Sequence, residues 1–252
     1  MKKTIAILAA LLATCQPLTT AAGNHDSQFQ FKVRAGYNIG GTAPIGLPAT
    51  IRSIDKYSLT PSFMVGADVN LPLQDSWGVQ LGLHIENKNM DGEVTTKTYR
   101  MEIKKGESLL NGVYTGHVHQ DVTEFMLTLP VMASCQLSKK LQLKVGPYFS
   151  LLLDKDFSGY VYDGYLRQGN PTGPMVSIGI REDERATYDF TDDMRRFQAG
   201  IALGVDWQVH RRLGLSADLN WGITGIHKSD FKTIEQTLFP IYGTIGVFYR
   251  IK

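Results

Sequence analysis

His84 and Glu86 stand two residues apart, so in an extended strand both side chains point to the same side. A histidine base beside a carboxylate can activate a serine hydroxyl for acyl transfer, and Ser150 and Ser216 are candidate nucleophiles on other segments. Nothing in the sequence brings either serine to His84, and a hydrogen-bonded interior pair is the plainer use of these two residues. His117 and His119 repeat the spacing, with Asp121 two residues further on. Two imidazoles and a carboxylate on one side of a strand can hold zinc or a similar ion, although histidines in a long connection are usually solvated. Within 180–196 (IREDERATYDFTDDMRR), Glu182, Asp183, Asp192 and Asp193 offer oxygens to a divalent cation. The interleaved Arg181, Arg185, Arg195 and Arg196 favour salt links between loops, or contact with phosphate groups. No glycine-rich phosphate loop, His-Glu-x-x-His or Gly-x-Ser-x-Gly motif occurs. The sequence therefore assigns no catalytic, cofactor-binding or metal-ligating residue, and the expectation is a protein that is not an enzyme.

The elements that would position these groups alternate apolar and polar residues with period two. Phe29, Phe31, Val33, Ala35, Tyr37 and Ile39 share one face, and Gln30, Lys32, Arg34, Gly36 and Asn38 the other. The pattern recurs over 63–71, 77–85, 125–135, 141–153, 197–209, 213–223 and 239–252. The gaps at 72–76, 136–140 and 210–212 are short, whereas 41–60, 88–121, 154–193 and 226–238 are long and polar. Strict alternation of long and short gaps is what an even-stranded antiparallel barrel predicts, with short turns on one side of a membrane and long loops on the other. A soluble β-sandwich gives no reason for it. The expected fold is an all-β, eight-stranded, antiparallel up-and-down transmembrane β-barrel with long extracellular loops and short periplasmic turns.

The two faces support this. Inward positions carry Gly36, Gly66, Gly78, Gly82, Gly146, Gly200, Gly204, Gly214, Gly222 and Gly246, as an interior just wide enough for side chains requires. Outward aromatics fall at two levels, Phe29, Trp77, Trp207 and Tyr249 against Tyr37, Phe63, Phe149, Phe197 and Trp221, matching two interfacial girdles. Lys32, Arg34, Lys144, Arg196 and Arg250 are expected in the lumen against Asp68, Glu86, Asp206 and Asp218. Near balance favours a structural network, because buried charges are costly unless paired. Pro130 and Pro147 each remove a ladder donor and are expected to share a bulge or bend.

Residues 1–22 have the charged, apolar and small-residue order of a cleaved secretory signal peptide: Lys2 and Lys3, an apolar run over 5–13, then Thr19 to Ala22. A rival reading makes Cys15 a lipidated terminus, but Thr14 is a poor residue before such a cysteine. Residues 23–28 form a short N-terminal segment and 29–252 the barrel. Removing Lys2 and Lys3 with residues 1–22, which hold no acid, leaves 24 basic against 24 acidic residues and argues against nucleic-acid binding. Cys135 is then the sole cysteine, so no internal disulfide or cysteine metal cluster is expected.

With the strands placed, the chain resembles the PorT-like outer-membrane β-barrel family of Gram-negative bacteria. The resemblance is carried by FKVRAGYNIGG (31–41), LTLPVMASCQL (127–137), LKVGPYFSLLLD (143–154), RFQAGIALGVDWQV (196–209) and YGTIGVFYRIK (242–252). It implies a compact barrel, in some members linked to secretion or gliding machinery, with no catalytic motif to carry over. The aliphatic-Pro and Gly-Pro-Tyr steps look like shared features, whereas the ending Tyr249-Arg250-Ile251-Lys252 departs from a terminal aromatic. The expected function is a non-enzymatic outer-membrane scaffold presenting extracellular loops for structural or interaction work, with an accessory of a secretion system as one form of it. Its expected partners are outer-membrane lipid, lipopolysaccharide, and envelope or secretion-system proteins reached through 88–121 and 154–193. The alternatives are a small lipid-acting enzyme built on His84 and Glu86, or a narrow channel.

Overall fold

The structure is a computed structural model that describes residues 29–251, positions 59, 75, 232 and 235 excepted. The expected signal peptide 1–22, the segment 23–28 and Cys15 lie outside the described residues. Eleven strands form one antiparallel sheet: β1 (Gln30–Pro44), β2 (Ile51–Ser58), β3 (Phe63–Gln74), β4 (Trp77–Lys105), β5 (Ser108–Ser138), β6 (Leu141–Gln168), β7 (Met175–Ile178), β8 (Ala186–Asp189), β9 (Phe197–Gln208), β10 (Leu213–Gly222) and β11 (Leu238–Arg250). Eight of them close a ring in the order β1-β3-β4-β5-β6-β9-β10-β11, and β1 pairs back onto β11 from Lys32↔Arg250 to Pro44↔Leu238. Closure leaves the ring without an edge, as a lipid-embedded sheet requires.

Side chains alternate as the period-two pattern dictates. Leu81, Leu83 and Ile85 are exposed outward while Gly82, His84 and Glu86 are buried inward. Both aromatic levels are present on the outer face: Phe29, Trp207 and Tyr249 at one end, Tyr37, Phe63, Phe149, Phe197 and Trp221 at the other. Tyr37 pairs with Phe63 across β1 and β3, and the Phe149 and Phe197 rings stack at 6.2 Å. Pro130 faces the lumen and Pro147 faces lipid on neighbouring strands. The expected bulge is absent there. Register runs unchanged from Pro130↔Tyr148 to Ala133↔Val145, and the nearest β5–β6 shifts fall at Phe125/Met126 and Gln136/Ser138.

The long connections are the main correction to the sequence reading. Residues 88–121 and 154–168 continue the ladder, so β4, β5 and β6 run 29, 31 and 28 residues. That is roughly three times what a bilayer needs. Register shifts at Thr96/Tyr99 and Thr115/His117 accompany positive φ at Thr98 (56°), Gly116 (146°) and Asp163 (47°), all at one level of the extension. Bulges bend and twist the strand that carries them. The bent tip of β4 meets β8 at Lys104↔Thr187, and β8 pairs β6 over Ser158–Val161, so the extension folds into a dome. Its apolar core joins Met101, Val118, Phe157, Tyr188, Phe190 and Met194 to Ile226 and Leu238, which come from β10–β11 across the ring. This core spans the outer mouth.

Candidate functional site

The barrel interior holds two polar layers. In the first, Lys32 Nζ donates to Gln142 Oε1 at 2.7 Å and to Asp206 Oδ2 at 2.9 Å. Lys144 Nζ sits between Asp206 Oδ1 (2.7 Å) and Asp218 Oδ1 (2.9 Å). Arg34 reaches Asp218 at 3.0 Å and Asp206 at 3.4 Å, and its Nε lies 2.5 Å from Asp68 Oδ2, at ion-pair distance without hydrogen-bond alignment. In the second layer Lys88 bonds Glu86 at 3.0 Å and lies over the Tyr148 and Tyr242 rings. Thr128 donates to Glu86 at 2.6 Å, Ser150 shares a bond with Thr128 at 2.8 Å, and Gln198 donates to Glu124 at 2.5 Å. A void of about 20 Å³ lies beside Arg34, His84, Glu86 and Asp218. That is room for about one water.

Local sequence explains why charges fit in so narrow a bore. A Cβ at Gly66 would collide with the His84 ring, and one at Gly204 with the Asp218 carboxylate. The glycines vacate the wall where a polar neighbour must lie flat.

Of the expected lumen charges, Lys32, Arg34, Asp68, Glu86, Lys144, Asp206 and Asp218 are in the network. Arg196 is not: it precedes β9 and is exposed. Arg250 is half-buried at the end of β11. Lys88 and Glu124, read from sequence as outside the strands, are buried instead, at 2% and 0% exposure. Continued alternation from Glu86 to Lys88 and from Met126 back to Glu124 carried that signal.

His84 and Glu86 share the inward face but take different partners. His84 Nε2 lies 2.8 Å from Asp68 Oδ1, a carboxylate that sequence spacing did not connect to it. Ser150 is joined through Thr128 to Glu86, and Ser216 is buried on β10 with its hydroxyl unpartnered, so neither candidate serine bonds His84.

His117 and His119 lie on the outer face of the extension, where their acids come from other strands than the expected Asp121. His117 Nδ1 is 3.5 Å from Asp55, and His119 is 3.6 Å from both Asp91 and Glu93. Their rings stack on Tyr162 (5.2 Å) and Tyr160 (4.6 Å), and the Arg185 guanidinium covers Tyr160 at 4.6 Å. Asp121 faces Asp91 across the ladder; partial burial, with Asp91 and Asp156 nearby, raises its pKa. Glu182 and Asp183 occupy one 3-10 turn, Asp192 and Asp193 another. Among the described residues no group of three or more His, Cys, Asp or Glu comes together for a metal.

The closed ring, its lipid-facing belt between two aromatic levels and its filled polar bore define an integral outer-membrane β-barrel. The sequence matches the outer membrane protein beta-barrel domain family over residues 16–228, and the chain belongs to that family. Membership implies the outer membrane as its location. No curated protein matches the chain. Among solved structures it is similar to Ail, the attachment invasion locus protein of Yersinia pestis, with 11% identity, 88% of this chain and 98% of that chain covered, and a TM-score of 0.38. It is also similar to Neisserial surface protein A (10%, 88% and 96%, 0.35) and to OprG from Pseudomonas aeruginosa (14%, 88% and 95%, 0.36).

Proposed function

We propose that the protein is a non-enzymatic outer-membrane scaffold, sealed along its axis, that works through its extracellular dome. The observation that carries this reading is the double closure of the bore. Charged pairs fill the lumen, and the apolar core spans the mouth above them. A path for ions or solutes needs an open lumen, and a lipid hydrolase needs a base free to reach a serine. His84 bonds a carboxylate, Asp68, but neither candidate serine bonds His84: Ser150 is bonded to Thr128, and the Ser216 hydroxyl has no partner.

The surface left for work is the outer face of the extension, within 88–121 and 154–193. Tyr160, Tyr162, His117, His119 and Arg185 form a half-exposed aromatic and charged patch there. Tyrosine and arginine are the residue types that anchor protein interfaces. The partners we propose are envelope proteins, with a secretion assembly as the particular case suggested by the resemblance to the PorT-like family. Lipopolysaccharide is the proposed lipid contact, through exposed Arg196 beside the girdle residue Phe197. Export by a cleaved signal peptide over 1–22 belongs to the same proposal.

The test is a photo-crosslinking amino acid placed at position 162 in intact cells, with position 203 on the lipid face as control. The reading predicts a discrete protein adduct from 162 and none from 203. It also predicts loss of the biological role in Tyr160→Ala/Tyr162→Ala with folding intact. No adduct, together with a role unaffected by the double substitution, would contradict it.

A further inference from the structure

We infer that the dome holds a binding site for one acyl chain of an outer-leaflet lipid, entered sideways between β1 and β2. The β1–β3 ladder ends at Tyr37↔Phe63, and above it, among the described residues, β1 pairs only with β11 while β2 pairs only with β4. The wall is therefore open between Gly40–Pro44 and β2. The gap is crossed by the Tyr57 hydroxyl donating to the Gly40 carbonyl, and the Thr42 N–H is turned to Met90 Sδ at 3.3 Å. A thioether is a weak acceptor, so this edge is not sealed as a paired strand would be.

Behind the gap lies a cavity of about 360 Å³. This is within the range of small-ligand sites, about 300–1,000 Å³. It runs from Ile39, Gly41 and Ile241 at the rim to Met101, Val118 and Phe157 in the dome core. No charged side chain lines its deep end; Lys56, paired with Asp91 at 3.8 Å, stays at the mouth with its side chain 55% exposed. An empty apolar void forfeits dispersion contacts around its whole lining, which a hydrocarbon chain restores. Met90 and Met101 supply walls that adapt to a flexible chain.

Continuity with the lipid face selects the occupant. Tyr37 and Phe63 mark the outer girdle at the foot of the gap. Beyond them Ile45, Leu47 and Ile54 remain 59–63% exposed around the mouth, an apolar apron where a loop facing only water has no use for one. A lipid whose headgroup rests by Lys56 can pass one chain over this apron without leaving the membrane.

The experiment uses the full protein in phosphatidylethanolamine/phosphatidylglycerol vesicles containing a phospholipid with a mid-chain diazirine. After irradiation, labelled peptides are mapped. The inference predicts adducts on Met101, Val118 or Phe157, residues that no bulk lipid touches, alongside adducts on the lipid-facing Leu81 and Ile201. Val94→Trp, which fills the cavity, should lower the interior labelling about tenfold and leave Leu81 and Ile201 unchanged. Ile54→Asp should act in the same direction from the mouth, and decides the matter should Val94→Trp fail to fold. Labelling confined to the outer belt, or interior labelling indifferent to Ile54→Asp, would overturn the inference. So would interior labelling by free diazirine palmitate but not by the phospholipid.

Discussion

Lys32 Nζ on β1 and Asp206 Oδ2 on β9 lie 2.9 Å apart although β11 and β10 separate the two strands in the wall. The bond crosses the bore rather than running along the wall. Asp206 also holds Lys144 and Arg34, so one carboxylate fixes three cations. Removing it leaves buried charge uncompensated, and Asp206→Ala should cost about 3–5 kcal/mol. The urea midpoint of the detergent-solubilised protein reads this directly. An unchanged midpoint would show that the network does not hold the barrel.

His84→Ala removes one hydrogen bond to Asp68 while Arg34 remains beside that carboxylate. The expected loss is about 0.5–1.5 kcal/mol. Lipid hydrolysis on vesicles should be undetectable in both forms. Turnover that vanishes in His84→Ala would restore the enzyme alternative.

Substitutions on different faces should separate cleanly. Ile201→Arg places a charge at the lipid face and should cost roughly 2–4 kcal/mol. Gly204→Leu should block assembly for another reason, since any side chain there runs into Asp218. Lys104→Glu, exposed on the dome, should change stability by less than about 0.5 kcal/mol. Refolding yield by heat-modifiable gel migration ranks the three. A disruptive Lys104→Glu beside a silent Ile201→Arg would contradict the face assignment.

The barrel was legible because lipid on one side and a narrow bore on the other impose a strict two-residue period. Leu81, Gly82, Leu83 and His84 announce their faces by type alone. The dome was not. Its strands keep alternating, but shifts at Thr96/Tyr99 and Thr115/His117 change the phase, and Gln120 interrupts the apolar face between Val118 and Val122. Partner choice in the lumen was also hidden. His84 and Asp68 meet because β3 and β4 pair in one register with Gly66 and Gly82 opposite them, and register between strands leaves little trace in a single sequence. Arg196 kept the parity of a lumen residue but lies before the start of β9, where parity no longer dictates a side.

Acid should loosen the dome at His227. Its ring packs between Phe157 (4.9 Å) and Phe231 (4.5 Å), and burial, helped by Lys155, lowers its pKa from 6.5 to about 4. Above pH 6.5 the ring is neutral whether the segment is closed or open. Between 6.5 and 4 only the opened ring takes a proton, so closure weakens as pH falls, by up to about 3 kcal/mol in all. Hydrogen exchange at 226–231 should therefore accelerate between pH 6.5 and 4 beyond its intrinsic pH dependence. His227→Phe should abolish that excess; an excess that survives the substitution would assign it to another group.

The most direct test of the sealed scaffold is conductance of the purified protein in planar bilayers. The two polar layers and the core above them predict no discrete current steps at neutral pH, from the wild type and from Lys104→Glu alike. Stable unitary steps that change size when Arg34 or Lys144 is neutralised would mean that ions pass the network, and would contradict the account.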